Sequence, residues 1–197
     1  MSLMSSKEKD KKININKENL IKALIFTLLL LGAEFFLFPS ILFYFWDITF
    51  KLKILRYAGL ALMVGGFILY TYCVKDFLIQ GDGTPMFWFS EETHLNRVFG
   101  KEPKNLVSSG IYKRSRNPMY LSELVFILGE ALFLQSYILF FFYVPAVFIV
   151  MHLIVIYSEE KHLKNKYGEV YEEYIKKTPR WIGFPLLDED TNQNGHK

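Results

Sequence analysis

Arg116, Tyr120, Glu123, Ile127 and Glu130 recur at spacings of four, three, four and three, the register of a single helix face. The stretch that carries them is otherwise apolar. Ionisable groups in a membrane helix are costly, so each one raises a functional question. A cation, a phenol and two carboxylates on one face can bind a polar ligand or move protons. His152 and Glu159 lie seven apart and share a face of the next apolar stretch, with Glu160 adjacent. Only a few residues around Ser136 separate the two stretches, which predicts a tight antiparallel helical hairpin. Arg116 at the start of one arm and Glu159-Glu160 at the end of the other then meet at the same membrane surface. Charges of both signs at one height suit a zwitterionic, partly apolar ligand.

Structural roles stand beside these chemical ones. Glu123 and Glu130 also read as ion-paired or protonated structural acids, and His152 as a helix–helix hydrogen-bond partner. Glu159-Glu160 also reads as a solvated helix end. Several chemistries are excluded. The four His show no metal-ligand spacing, and no nucleophile elbow, phosphate loop or dinucleotide glycine fingerprint is present. The single cysteine, Cys73, rules out a disulfide within the chain and a cysteine-rich metal site.

The elements that must position these groups are membrane helices. Half of the 197 residues are apolar, with 19 Phe and 12 Tyr, a composition that suits lipid better than water. Four stretches meet the requirement of about 20 mostly apolar residues: 20–46, with Glu34 and Pro39; 54–74, with Arg56 near its start; 119–135; and 138–157. The first is expected to tilt or to kink near Pro39. Ala58, Ala61 and Gly65, with Gly59 and Gly66 nearby, predict a close-packing face on the second. Net charge is +3, and the basic residues fall in the N-terminal segment, the segment 75–116 and the tail. Four spans put all three on one side, which the positive-inside rule makes cytoplasmic. Lys51 and Lys53 dissent.

The expectation is an all-α, polytopic membrane helical bundle of about four transmembrane helices. It has a C-terminal helical hairpin, cytoplasmic amphipathic helices and its chemistry on the cytoplasmic side. Residues 1–19 read as a disordered cytoplasmic N-terminus, whose first three residues resemble an expression leader. Residues 20–187 read as a single membrane domain with a core at 105–181, and 188–197 as a disordered tail. Gly81-Asp82-Gly83-Thr84-Pro85 is turn chemistry. Met86 to Phe89 is an interfacial aromatic run, and Ser90 to Phe99 a short helix stopped by Pro103. In the tail, Leu163, Tyr167, Tyr171 and Tyr174 form an apolar stripe. It predicts two short helices broken at Tyr167-Gly168, packing rather than binding a cofactor.

Two blocks carry a family resemblance. Leu106-Val107-Ser108-Ser109-Gly110-Ile111-Tyr112 followed by Arg116-Asn117-Pro118-Met119-Tyr120 resembles the "LV..G.Y...RHPMY" block of membrane methyltransferases. Glu159-Glu160, Leu163, Tyr167-Gly168, Tyr171, Tyr174 and Pro179-Arg180 resemble their "EE..L...FG..Y..Y...PR" block. Gly81 to Pro85 is similar to the "G.GTP" turn of bacterial relatives. The family is the isoprenylcysteine carboxyl methyltransferase and phospholipid methyltransferase superfamily. The resemblance implies S-adenosylmethionine as cofactor at the cytoplasmic end of the hairpin. It implies Tyr112, Asn117, Pro118, Met119, Tyr120, Glu159 and Glu160 as cofactor-binding residues, and Arg116 and Arg180 as binding a carboxylate on the cofactor or the acceptor. These two arginines, with Glu123 from the helix face, are the candidate catalytic residues. It also implies a lipophilic, lipid or prenylated acceptor presenting a carboxylate or an amine. The setting would be the cell membrane of a prokaryote or the endoplasmic reticulum of a eukaryote. Asn117 departs from the usual His and cannot titrate near neutrality.

Two other classes fit parts of the pattern. Tyr120-Leu121-Ser122-Glu123 is similar to the "NYLGE" of NADPH-dependent membrane sterol reductases, although Met119 stands where Asn is usual. A non-catalytic membrane protein on the same fold is the other.

Overall fold

The structure is a computed structural model that describes residues 17–33, 37–45, 49–50, 52–85 and 101–183. The leader, Glu34, the Met86–Phe99 features and the 188–197 tail expected from the sequence lie outside these residues.

Among the described residues the chain is helical, with one isolated bridge between Thr49 and Ser136. Helix α1 (Lys17–Gly32) starts three residues before the expected apolar run, and α2 (Phe38–Phe45) follows with Pro39 in its first turn. Proline is tolerated there because that N–H has no helical partner in any case. Helix α3 runs Lys53–Gly81, its last turn widened to π geometry over Phe77–Gly81. A 3-10 turn at Gly110–Lys113 leads to α4 (Pro118–Leu134), which starts on a proline and ends at Gln135 in the left-handed conformation. Helix α5 (Leu139–Tyr167) carries π turns at Leu139–Tyr143 and Val155–Glu159. Gly168, at φ +54°, separates it from α6 (Glu169–Lys177).

Helices α3 and α5 are long and apolar enough to cross a membrane. Only 22% and 17% of their apolar windows are buried, so neither is the core helix of a water-soluble protein. Leu28, Phe67, Phe142 and Ile149 face outward, while Ser122, Glu123, Glu130, Gln135 and Ser136 are buried. Apolar outside and polar inside is the arrangement a lipid solvent favours. This is a membrane protein.

Helices α3 and α4 form the most extensive contact in the fold, crossing antiparallel. Glycines set its distance. A Cβ on Gly66 would lie 2.8 Å from Phe126 N and Ser122 O, and one on Gly129 would lie 2.7 Å from Gly59 O. Backbones in such contact gain van der Waals packing, the main attraction between helices in lipid. The face is rotated from the one the small-residue spacing predicts. Gly65 points into open space, and Ala58 and Ala61 are exposed, while Gly59 and Gly66 are buried in the contact.

The segment after α3 folds back over the same end of the bundle. Thr84 N donates to Lys101 O at 2.8 Å and Lys104 N to Gly81 O at 2.8 Å. Gly83 lies so close that a Cβ there would be 2.5 Å from Pro103 Cα, which accounts for the glycine-rich turn.

Candidate active site

The hairpin of α4 and α5 brings Arg116 and Glu159-Glu160 to one end, where segment 101–107, α6 and α1 border an open-mouthed cavity of about 110 Å³. Tyr112, Arg116, Asn117, Pro118, Met119, Tyr120, Glu123 and Glu159 line it. Of the residues singled out from the sequence, Glu160 and Arg180 do not. Glu130 and His152 are also elsewhere.

Each wall has a local reason for its place. Pro118 at the first position of α4 turns Arg116 and Asn117 out of the helix, so that the helix begins at the cavity edge. Arg116 N donates to Pro179 O at 2.9 Å, Asn117 Nδ2 to Arg180 O at 2.9 Å and Ser115 Oγ to the same carbonyl at 3.3 Å. These bonds staple the chain after α6 to the start of α4. Tyr174 Oη donates to Tyr112 O at 2.6 Å, holding α6 on the 3-10 turn. Tyr112 itself sits among Cys73, Val107 and Phe77, its ring edge-on to Phe77 at 5.6 Å. Burial pushes the Tyr112 and Tyr174 phenols well above the ordinary range and the Tyr171 phenol up to about 12. All three therefore stay neutral.

The ionic centre is compact. Arg180 grips Glu160 through two bonds, Nε to Oε1 at 2.7 Å and Nη2 to Oε2 at 3.0 Å. Arg116 Nη1 is 2.9 Å from Glu160 Oε1, off the hydrogen-bonding direction. Glu160 raises the affinity of Arg180 for its proton. Tyr171 shares the Arg116 guanidinium. Arg116 Nε and Nη1 and Glu159 Oε2 are buried with no hydrogen-bond partner, although Tyr120 reaches the Glu159 carboxylate. Unpaired buried donors and acceptors are expensive. These three atoms lie together at one cavity.

A second set was missed from the sequence. Glu102, with 5% of its side chain exposed, bonds His162 Nε2 at 2.8 Å and Lys166 Nζ at 2.5 Å. Tyr167 Oη donates to Pro103 O at 2.6 Å. These contacts clamp segment 101–105 onto α5 beside the cavity. His162 and Lys166 lie three and seven residues after Glu159, so helix spacing placed them within reach of its face. Nothing local pointed to Glu102, some sixty residues away. The tail stripe packs as its spacing predicts. Leu163, Tyr167, Tyr171 and Tyr174 also line the cavity.

His152 accepts a bond from Trp181 Nε1 at 3.0 Å and clusters with the rings of Trp181 and Phe148, which also touch each other. It ties the chain after α6 to α5 and takes no part in the cavity. Glu130 is buried near the far end of α4, beyond reach of the ionic centre. No group of His, Cys, Asp and Glu among the described residues could hold a metal ion.

No solved structure matches the chain. The family model of phospholipid methyltransferases matches residues 54–170, a range that includes α3, the 3-10 turn, α4, α5 and most of the residues around the cavity. The chain belongs to the phospholipid methyltransferase family.

Proposed function

We propose that the protein transfers a methyl group from S-adenosylmethionine to a lipophilic acceptor at the membrane surface. The observation that carries this reading is the presence of Arg116 Nε, a donor, and Glu159 Oε2, an acceptor, at one cavity. Both are buried without hydrogen-bond partners. The cofactor's amino-acid end is a zwitterion, and its ribose offers hydroxyl donors, so the residues present fit it. Arg116 would donate to the carboxylate. Glu159 would accept from the ammonium or a ribose hydroxyl. Asn117, Pro118, Met119 and Tyr120 would line the bound molecule.

The bound cofactor supplies a methyl group already electrophilic on a sulfonium. The chain's own residues need only align an acceptor and exclude water. Phe26, Phe77, Met119 and Ile154 give the cavity an apolar side. Ile154 is also 40% exposed on the lipid-facing surface, which supports access for the acceptor from the bilayer. Glu123 and Glu159 make the lining acidic, while Arg116 already leans on Glu160. This balance favours a lipid amine over a prenylcysteine-type carboxylate. A protonated amine must lose its proton before it attacks, and Glu123, buried in the same wall, is the group to accept it. Four spans with both termini cytoplasmic remain part of this reading, supported by the placement of basic residues.

The test is transfer of tritiated methyl from S-adenosylmethionine in vesicles containing an aminophospholipid or a prenylcysteine. Base-stable label in the aminophospholipid supports the amine reading. Base-labile label, released as methanol from a methyl ester, would replace it with the carboxylate. Absence of transfer to both would count against this choice of acceptors.

A further inference from the structure

Glu160 is saturated before any ligand arrives. Its Oε1 is shared between Arg180 Nε at 2.7 Å and Arg116 Nη1 at 2.9 Å, and its Oε2 is held by Arg180 Nη2 at 3.0 Å. Neither Glu160 nor Arg180 lines the cavity, whereas Arg116 does. The contacts run further outward. Arg180 can reach Glu160 because its own backbone is pinned: its carbonyl accepts from Asn117 Nδ2 and Ser115 Oγ, and the preceding carbonyl of Pro179 accepts from Arg116 N. Three consecutive residues thus fix the segment from which Arg180 grips Glu160, and Glu160 in turn fixes the guanidinium of Arg116. Two guanidinium groups share one carboxylate. Arg116 Nε and Nη1 are buried without a hydrogen-bond partner, Nη1 holding only its ionic contact with Glu160. A buried cation with unused donors is stabilised when an anion meets it.

We infer that Glu160, Arg180 and Asn117 are positioning residues that hold Arg116 to receive the carboxylate of the cofactor's amino-acid end, and that Glu160 does not touch the cofactor. This rests on the methyltransferase reading and changes the role expected of Glu160. It also gives Asn117 a task that needs no titrating ring. An amide N–H donates at every pH, so the clamp on Arg180 does not depend on protonation.

The experiment compares two ligands on the purified full chain. S-adenosylhomocysteine carries the amino-acid carboxylate; 5′-methylthioadenosine keeps the nucleoside and thioether and lacks it. Arg116→Gln should weaken the first about tenfold or more and leave the second within about twofold. Glu160→Gln, Arg180→Gln and Asn117→Ala should show smaller losses with the same selectivity. The double variant Arg116→Gln/Glu160→Gln should bind no more weakly than Arg116→Gln alone, because a residue that acts through Arg116 has nothing left to add. Additive losses in the double variant, or equal weakening of both ligands by Glu160→Gln, would overturn the assignment. Thermal midpoints without ligand separate lost folding from lost positioning. If Glu160→Gln fails to fold, Arg180→Gln, whose side chain is 33% exposed, carries the same comparison. Wild-type protein that binds neither ligand would instead overturn the methyltransferase reading itself.

Discussion

Replacing Glu159 with Gln should weaken cofactor binding while leaving the unliganded protein at least as stable. The side chain keeps its shape and loses its charge. In the unliganded protein Glu159 Oε2 is buried with no partner, so the carboxylate bears a desolvation cost without full return. The neutral amide relieves that cost. One kcal/mol corresponds to about 2–4 °C for a chain of this size, so the thermal midpoint should stay level or rise by a few degrees. In the complex, Oε2 accepts from an ammonium or a hydroxyl. A hydrogen bond to a charged group is worth about 1.5–3 kcal/mol, which corresponds to about 12- to 150-fold in affinity. Calorimetric titration with S-adenosylhomocysteine in detergent measures this directly. Affinity within about twofold of wild type, or a fall in affinity matched by a fall in midpoint, would refute the reasoning.

Gly66→Ala should force α3 and α4 apart, because the new Cβ would meet backbone at 2.8 Å. Overpacking of this kind costs about 1–3 kcal/mol, read as a lower thermal midpoint, whereas Gly65→Ala, with nothing within 4 Å, should be silent. Tyr174→Phe leaves the Tyr112 carbonyl without its 2.6 Å donor and should cost about 1–3 kcal/mol of stability in chemical denaturation. Glu102→Gln removes the charge that draws in His162 and Lys166. It should expose segment 101–105 to faster amide hydrogen exchange, with α3 unchanged.

The hairpin and the meeting of Arg116 with Glu159-Glu160 were legible because they follow from periodicity and a short connection. Those signals are local. The apolar exterior was legible for the same reason, since composition alone decides whether a helix suits lipid. The packing face of α3 was not. Several small residues lie within one turn, and only the partner helix selects Gly59 and Gly66 over Ala58, Ala61 and Gly65. Glu102 was invisible because a side chain that clamps a loop onto a distant helix leaves no spacing signature. The status of Glu160 was hidden for a related reason. Two adjacent acids point roughly 100° apart on a helix, so Glu159 faces the cavity while Glu160 turns to Arg180. The Asn117 departure became intelligible only when its amide was found on the Arg180 carbonyl.

The most direct test of the central claim is a thermal-shift titration of the detergent-purified wild-type protein with S-adenosylhomocysteine, with NADPH in parallel. A ligand that binds only the folded state raises its apparent stability as concentration rises. A dose-dependent rise with S-adenosylhomocysteine and none with NADPH is the predicted result. A rise with NADPH alone would contradict the account and assign the cavity to reductase chemistry.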